Sequence, residues 1–169
     1  MLAYLFWHRP TPATDPAGYE KRLATFHARL ARDPPAGFLG SAAFRVTLPW
    51  TRAEYEDWYL VADWAELGVL NGAAVDAARR DPHDAVAQHA GDGAGGVYAL
   101  RAGDLAVIHA GAASWSPKPR GVPYPDFELS VVQDRKPAEF ALWQRQMVLG
   151  PAPEFCLLTR GDSMTRVTP

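Results

Sequence analysis

The segment from Tyr55 to Val75 constrains the fold more than any other part of the chain. Its first half, YEDWYLVA, is rich in aromatic and branched residues and predicts a strand over Tyr55–Ala62. Asp63 is a favourable N-cap, and the apolar residues that follow at helical spacing predict a helix. The rest of the chain must therefore supply strands that pair with this strand and a sheet that this helix covers.

The residues before this segment predict a strand, a helix and a second strand. Tyr4–His8 is apolar on both faces, which is typical of a strand that is covered on both sides. Asp15 followed by Pro16 predicts the start of a helix that extends to Ala31. Phe38–Leu48 has one apolar face with a period of two, and we expect it to form a hairpin with the next strand.

The residues after the segment complete one structural unit. Pro82 predicts a break in the helix, followed by a short helix over His83–Ala90 and a loop over Gly91–Gly96. This loop lacks the Lys-Ser/Thr pair of a phosphate loop. Val97–Arg101 predicts a fourth strand. The resulting order, βαββαβ, predicts an α+β fold with a complete ferredoxin-like unit over residues 1–103.

Residues 104–169 predict a partial second copy of the βαββ type that packs on the first. Leu105–Ser114 is apolar and predicts a strand, whereas the segment from Tyr124 permits either a helix or a strand. Phe140–Leu149 and Glu154–Thr159 predict a second hairpin, with a helix as the alternative for the first of the two.

Composition excludes several classes of protein. The formal net charge is −2 and the 17 basic residues are scattered, so we expect no binding to nucleic acid or to a membrane surface. The single cysteine, Cys156, excludes an internal disulfide framework and fits a small buried side chain. The apolar N-terminal run is far shorter than a membrane span, so a cytoplasmic protein is the expectation.

The strand Tyr4–His8, the helix headed by Tyr19, and the aromatic strand that runs into an Asn-bearing helix together resemble the dimeric α/β-barrel superfamily. That superfamily includes antibiotic-biosynthesis-type monooxygenases, stress-responsive barrel proteins and the haem-binding chlorite-dismutase branch. The resemblance covers about the first hundred residues. It implies antiparallel sheets that close into a dimeric or pseudo-dimeric barrel around a small-molecule pocket.

The candidate functional residues are polar or aromatic groups on the predicted central elements. Asn71 is the only asparagine and lies on an apolar helical stripe, where it could bind a ligand or a neighbouring backbone group. His8 could act as a general base or end its strand in solvent. Arg45 could bind a substrate carboxylate or pair with Asp57. The predicted catalytic set is His8, Tyr59 and Asn71, and the predicted ligand-binding set is Arg45, Trp58, His109 and Trp115.

Two functions from different classes follow from these residues. The first is a cofactor-independent enzyme of the monooxygenase type that acts on a small organic substrate in an aromatic pocket. The alternative is a non-catalytic barrel that binds a small organic ligand or serves as an oligomerisation module. A haem protein with His8 or His109 as axial ligand has the least support, and the sequence itself implies no cofactor and no metal site. A complete unit with a partial copy also predicts a homodimer that covers an open sheet face.

Overall fold

The computed structural model describes residues 1–109, 111–146, 150–161 and 164–168. The chain divides into two compact units. The first comprises Met1–Gly95 and the segment that begins at Thr165, and the second comprises Gly96–Met164. Both contain antiparallel strands and helices, so the predicted α+β class is confirmed. The sequence predicted a complete structural unit over residues 1–103 and a partial second copy over residues 104–169. Those limits describe repeats rather than compact units, so they stay a prediction.

The first unit has the predicted βαββαβ order, and its second helical element consists of two consecutive helices, as predicted. Its elements are β1 (Leu2–Pro10), α1 (Pro16–Arg32), β2 (Phe38–Arg45), β3 (Tyr55–Val61), α2 (Trp64–Ala74), α3 (Ala77–Ala87), the first half of β4 (Ala90–Gly103) and a short β8 (Thr165–Arg166). Strand β3 is central, because β1 pairs with one of its edges and β2 with the other, both antiparallel. Asp15 and Asp63 cap α1 and α2 as predicted.

The second unit begins with the other half of β4 and contains two 3₁₀ helices, three further strands and one helix. These are the 3₁₀ helix Leu105–His109, β5 (Gly111–Ser116), α4 (Tyr124–Val132), the 3₁₀ helix Pro137–Glu139, β6 (Phe140–Arg145) and β7 (Phe155–Arg160). Strand β7 pairs antiparallel with β5 and β6, and β6 pairs antiparallel with β4. The predicted hairpin of the last two strands is therefore present, although residues 147–149 lie outside the described ranges.

The sheet of the first unit presents two different faces, because successive side chains of a strand point in opposite directions. One face carries His8, Asp57 and Tyr59 and lies under α1, whose buried side chains include Tyr19 and Phe26. The other face carries side chains of opposite parity, with Trp7 next to Glu56 in the β1–β3 register. Adjacent residues of β3 therefore have different neighbours, because their side chains lie on different faces of the sheet.

Two predictions about the first unit are wrong. Helix α3 begins after Asp76 and runs through Pro82. Pro82 has no backbone N–H to donate to the carbonyl of Ala78, but Ala78 is exposed, so that carbonyl can bond to water. The segment Gly91–Gly96 is not a loop but part of β4. A Cβ atom on Gly93 would come within 2.6 Å of the Phe6 ring, so the absence of a side chain lets β4 lie against aromatic residues of β1.

The second unit also differs from expectation at its start. Leu105–His109 forms a 3₁₀ helix instead of a strand, with Asp104 accepting a hydrogen bond from the backbone N–H of Ala106. The open choice at Tyr124 is resolved in favour of a helix. The alternative helix over the sixth strand is wrong, since Phe140–Arg145 pairs with β4 and β7.

Within the described ranges, no helix combines the length and apolar character that a membrane span requires.

Candidate functional site

Strand β3 carries two adjacent acidic residues in an otherwise aromatic and aliphatic sequence. Glu56 is 0% exposed and Asp57 is 2% exposed. A buried carboxylate is strongly destabilising unless it is paired or hydrogen-bonded. Because the two side chains point to opposite faces of the sheet, each must find its own partners.

Asp57 lies among three polar side chains on the face that α1 covers. The Nε2 atom of His8 is 3.2 Å from Oδ2 of Asp57, and Nε2 of His27 is 3.7 Å from Oδ1. The hydroxyl of Tyr59 donates to Oδ2 at 3.0 Å. The buried carboxylate thus lies between two imidazoles and a phenol.

Further contacts orient the two imidazoles. Nδ1 of His8 lies 2.6 Å from the hydroxyl of Tyr19, and Nδ1 of His27 lies 2.7 Å from Oγ of Ser41. The His27 ring also stacks on Tyr59, with centroids 5.2 Å apart. We call the set His8, Tyr19, His27, Asp57 and Tyr59 the Asp57 cluster. Its members come from β1, α1 and β3, so the cluster ties α1 to the sheet.

The histidines determine the charge of Asp57. Burial acts to raise the pKa of Asp57, but the electrostatic attraction and hydrogen bonding of His8 and His27 outweigh it, and the pKa is lowered. Burial, and then the negative charge of Asp57, raise the pKa values of Tyr19 and Tyr59 above their usual range. Asp57 is therefore ionised at neutral pH, and both phenols keep their protons.

Glu56 has a different environment on the other face. Nε1 of Trp7 donates to Oε2 at 2.6 Å, and Nε1 of Trp58 donates to Oε1 at 2.7 Å. Burial raises the pKa of Glu56 to about 7, although the two indole donors act in the opposite direction and the charge of Asp57 adds to the rise. Glu56 therefore gains or loses a proton near neutral pH.

A cavity of about 150 Å³ lies beside Trp7 in the first unit. Its lining consists of Trp7, Arg9, Thr51, Arg52, Ala53, Asp92, Gly93 and Ala94. Arg9 forms an ion pair with Asp92, and the exposed Arg52 has no carboxylate partner within the described ranges. Asp92 has a positive φ of 21°, a backbone conformation that costs free energy in a non-glycine residue and is frequent at functional sites. We call this space the Trp7 cavity.

The structure brings some of the predicted site residues together and separates others. His8 and Tyr59 meet in the Asp57 cluster, and Trp58 binds Glu56 on the other face. Asn71 is exposed on α2, so the prediction that it is an amide within a buried apolar stripe is wrong. The only α2 side chain that is fully buried among the described residues is Leu70.

The remaining predicted residues lie elsewhere. The predicted pairing of Arg45 with Asp57 is wrong, because its Nη2 donates to Oε2 of Glu20 on α1 at 2.7 Å. His109 is exposed at the end of the first 3₁₀ helix, and Trp115 packs edge-on against Tyr98 in the second unit. Within the described ranges, no group of three or more His, Cys, Asp or Glu side chains is placed to hold a metal ion.

Sequence reasoning missed Glu56 and the polar residues of the Trp7 cavity. The signal for Glu56 was present, since two adjacent acids in the middle of a buried strand need partners on both faces. No comparable signal existed for Arg9, Arg52 and Asp92, because they come from three separate segments that only the pairing of the strands brings together.

Comparisons with known proteins yield little. No protein-family model matches the chain, and no curated protein matches it. Among solved structures, the chain is similar to a candidate chlorite dismutase, with 10% sequence identity, coverage of 94% of this chain and 78% of the other, and a TM-score of 0.44. A likeness of this degree supports no conclusion about the function of this chain.

The Asp57→Asn substitution tests the energetic importance of the cluster. It removes the buried charge that His8 and His27 face, and we expect it to lower the free energy of unfolding at pH 7 by about 3 kcal/mol. The matched control is Asp84→Asn, which alters an exposed aspartate that also contacts a histidine, His83, and should change stability by less than about 0.5 kcal/mol. Urea unfolding measures both, and equal effects of the two substitutions would contradict the role of the cluster.

The raised pKa of Glu56 predicts a pH dependence of stability. Because the pKa of the folded state lies near 7 and the ordinary value is 4.5, the folded protein holds a proton that the unfolded chain releases. The resulting stabilisation is fully present below the lower value and is lost as pH rises to about 7, by about 3 kcal/mol. Urea unfolding at pH 5 and pH 8 should show this loss, and Glu56→Gln should remove most of it. An equal loss in the two proteins would show that other groups cause it.

Proposed function

We propose that the protein binds a small organic anion in the Trp7 cavity. The observation that carries this proposal is the presence of two guanidinium groups, those of Arg9 and Arg52, at a cavity with an aromatic wall. A cavity of about this volume holds a molecule the size of benzene. The ligand class is thus a small ring or short chain that bears one carboxylate or a similar anionic group.

The charges at the cavity favour an anion. Arg52 is exposed and has no carboxylate partner among the described residues, so it can bind a ligand anion without breaking an internal ion pair. Arg9 pairs with Asp92, whose side chain is 76% exposed. Since an exposed ion pair contributes little to stability, a ligand carboxylate can replace Asp92 as the partner of Arg9 at small cost. Arginine also binds a carboxylate through two parallel hydrogen bonds.

Thr51 and Trp7 supply the other contacts expected of such a site. The Thr51 hydroxyl accepts a hydrogen bond from the backbone N–H of Ala53 at 3.2 Å, and its own hydrogen can be donated to a ligand. The Trp7 indole directs its N–H towards Glu56. It also packs edge-on against Trp50, with the ring centroids 4.9 Å apart. The ring therefore has a fixed orientation and borders the cavity, where its 1% exposure limits it to a small apolar contact with the ligand.

Catalysis of the cofactor-independent monooxygenase type is a second candidate, favoured by the contact of His8 with Asp57. A carboxylate beside an imidazole is a common arrangement in general-base catalysis. However, His8 is only 1% exposed, and its two ring nitrogens face Tyr19 and Asp57. Those nitrogens are not directed at a substrate or a haem iron, so binding has better support than catalysis. The closed barrel that the family resemblance implies stays a prediction.

Binding assays with matched probes test the proposed function. We expect benzoate to bind in the Trp7 cavity and the neutral benzamide to bind at least about tenfold more weakly, because only the anion can pair with the guanidinium groups. Titration calorimetry measures both affinities, and the affinity for benzoate should fall with rising salt concentration.

The Arg52→Gln variant assigns the binding to this cavity. Loss of the guanidinium should weaken benzoate binding at least about tenfold. Arg32→Gln is the matched control, since it removes an exposed arginine at the end of α1 that does not line the cavity. Equal affinity for benzoate and benzamide, or an unchanged affinity in Arg52→Gln, would contradict the proposal.

A further inference from the structure

Asp92 places a carboxylate at the rim of the Trp7 cavity. It lies on β4, which neighbours β1 in the sheet, and its Oδ2 atom forms an ion pair with Nη2 of Arg9 on β1. Both residues line the cavity, so the cavity contains an internal anion of the same chemical kind as the proposed ligand. A ligand must therefore bind beside the Asp92 carboxylate or displace it from Arg9.

The backbone indicates that this carboxylate has a use at its position. Asp92 has a φ of 21°, a conformation that costs free energy in a residue with a side chain and that glycine adopts freely. Its two neighbours in the chain, Gly91 and Gly93, are both glycines, whereas Asp92 keeps a side chain. Among the described residues, that side chain pairs with Arg9 alone. A strained residue that keeps one specific contact at a cavity suggests a functional constraint.

The charged side chains of the lining determine how much negative charge the cavity can hold. They are the two guanidinium groups of Arg9 and Arg52 and the carboxylate of Asp92, which leaves one positive charge in excess. Glu54 and Glu56 lie outside the lining, and any negative charge that they carry acts in the same direction as that of Asp92. One bound carboxylate therefore neutralises the cavity.

A ligand with a second anionic group meets an obstacle. Arg52 can bind one carboxylate, but a second carboxylate reaches Arg9 only where the Asp92 carboxylate already lies. Like charges brought into contact strongly disfavour a complex, and binding sites commonly use such repulsion to reject the wrong ligand. The same repulsion applies to a doubly charged phosphate group.

We propose that Asp92 is a specificity-determining residue of the Trp7 cavity and restricts its ligand to a single negative charge. The proposal rests on the proposed function, because it concerns the ligand of the same cavity. The favoured class is a small monocarboxylate, and the rejected classes are dicarboxylates and phosphate monoesters of similar size. Removal of the Asp92 charge makes both guanidinium groups available to a dianion.

Two ring acids of different charge test this assignment. Benzoate carries one carboxylate, and phthalate carries two adjacent carboxylates that can point to the same side of the cavity. By titration calorimetry of the full chain, the wild-type protein should bind benzoate at least about tenfold more tightly than phthalate. The Asp92→Asn substitution should shift the ratio of the two dissociation constants at least about tenfold in favour of phthalate. The ratio is compared because the difference in ligand size is the same for both proteins.

Further variants separate the charge of Asp92 from its shape and from the net charge of the protein. Asparagine matches aspartate in shape and tolerates a positive φ, so Asp92→Asn should keep the melting temperature. Asp92→Gly also removes the charge, suits the backbone and should shift the ratio to the same extent. Asp84→Asn is the matched control, since it makes the same change at an exposed aspartate of α3 outside the cavity and should leave the ratio unchanged.

Three outcomes would overturn the role of Asp92 and leave the cavity as an anion site. The wild-type protein could bind phthalate as tightly as benzoate. The ratio could stay the same in Asp92→Asn although benzoate binding still depends on Arg52. Asp84→Asn could shift the ratio equally, which would assign the selectivity to the overall charge of the protein. Failure of the wild-type chain to bind benzoate at all would instead contradict the proposed function, and this inference with it.

Discussion

The burial of Asp57 is the interaction on which the arrangement of the first unit depends. An ionised carboxylate in the sheet must have cationic or hydrogen-bonding partners, and these come from β1 through His8 and from α1 through His27. Hydrophobic packing alone would let a helix slide along or rotate on a sheet, because it has little directionality. The hydrogen bonds of His8 to Tyr19 and of His27 to Ser41 fix one position of α1.

The neighbouring Glu56 shows how strongly position on a strand controls chemistry. One residue away from Asp57, its side chain points to the other face and meets two indole N–H groups instead of imidazoles. Indoles carry no charge, so they offset burial only in part, and the pKa rises to about 7 where that of Asp57 falls. Trp7 donates a hydrogen bond to Glu56 and also lines the Trp7 cavity. One side chain therefore links the group that titrates near neutral pH to the proposed ligand.

Predictions from sequence succeeded where the signal was local. The N-caps Asp15 and Asp63 and the period-two pattern of β2 each depend on residues within one element, and these elements formed. Predictions failed where a distant neighbour decided the outcome. Gly93 and Gly95 lie in a strand, where Phe6 and Tyr4 of β1 occupy the space that a side chain at each position would need. Arg45 pairs with Glu20, 25 residues away, rather than across the hairpin.

The sequence by itself determined the order of strands and helices in the first unit, because caps, turns and periodicity act over a few residues. Only the tertiary structure decided which polar groups became buried. Asn71 had the sequence features of a buried site residue but is exposed, because no element within the described part of the chain covers that side of α2. Asp57 lies at the centre of the buried network because β1, β2 and α1 surround it. Whether a residue is buried depends on which elements cover each side of its own helix or strand, and those elements are far apart in the sequence.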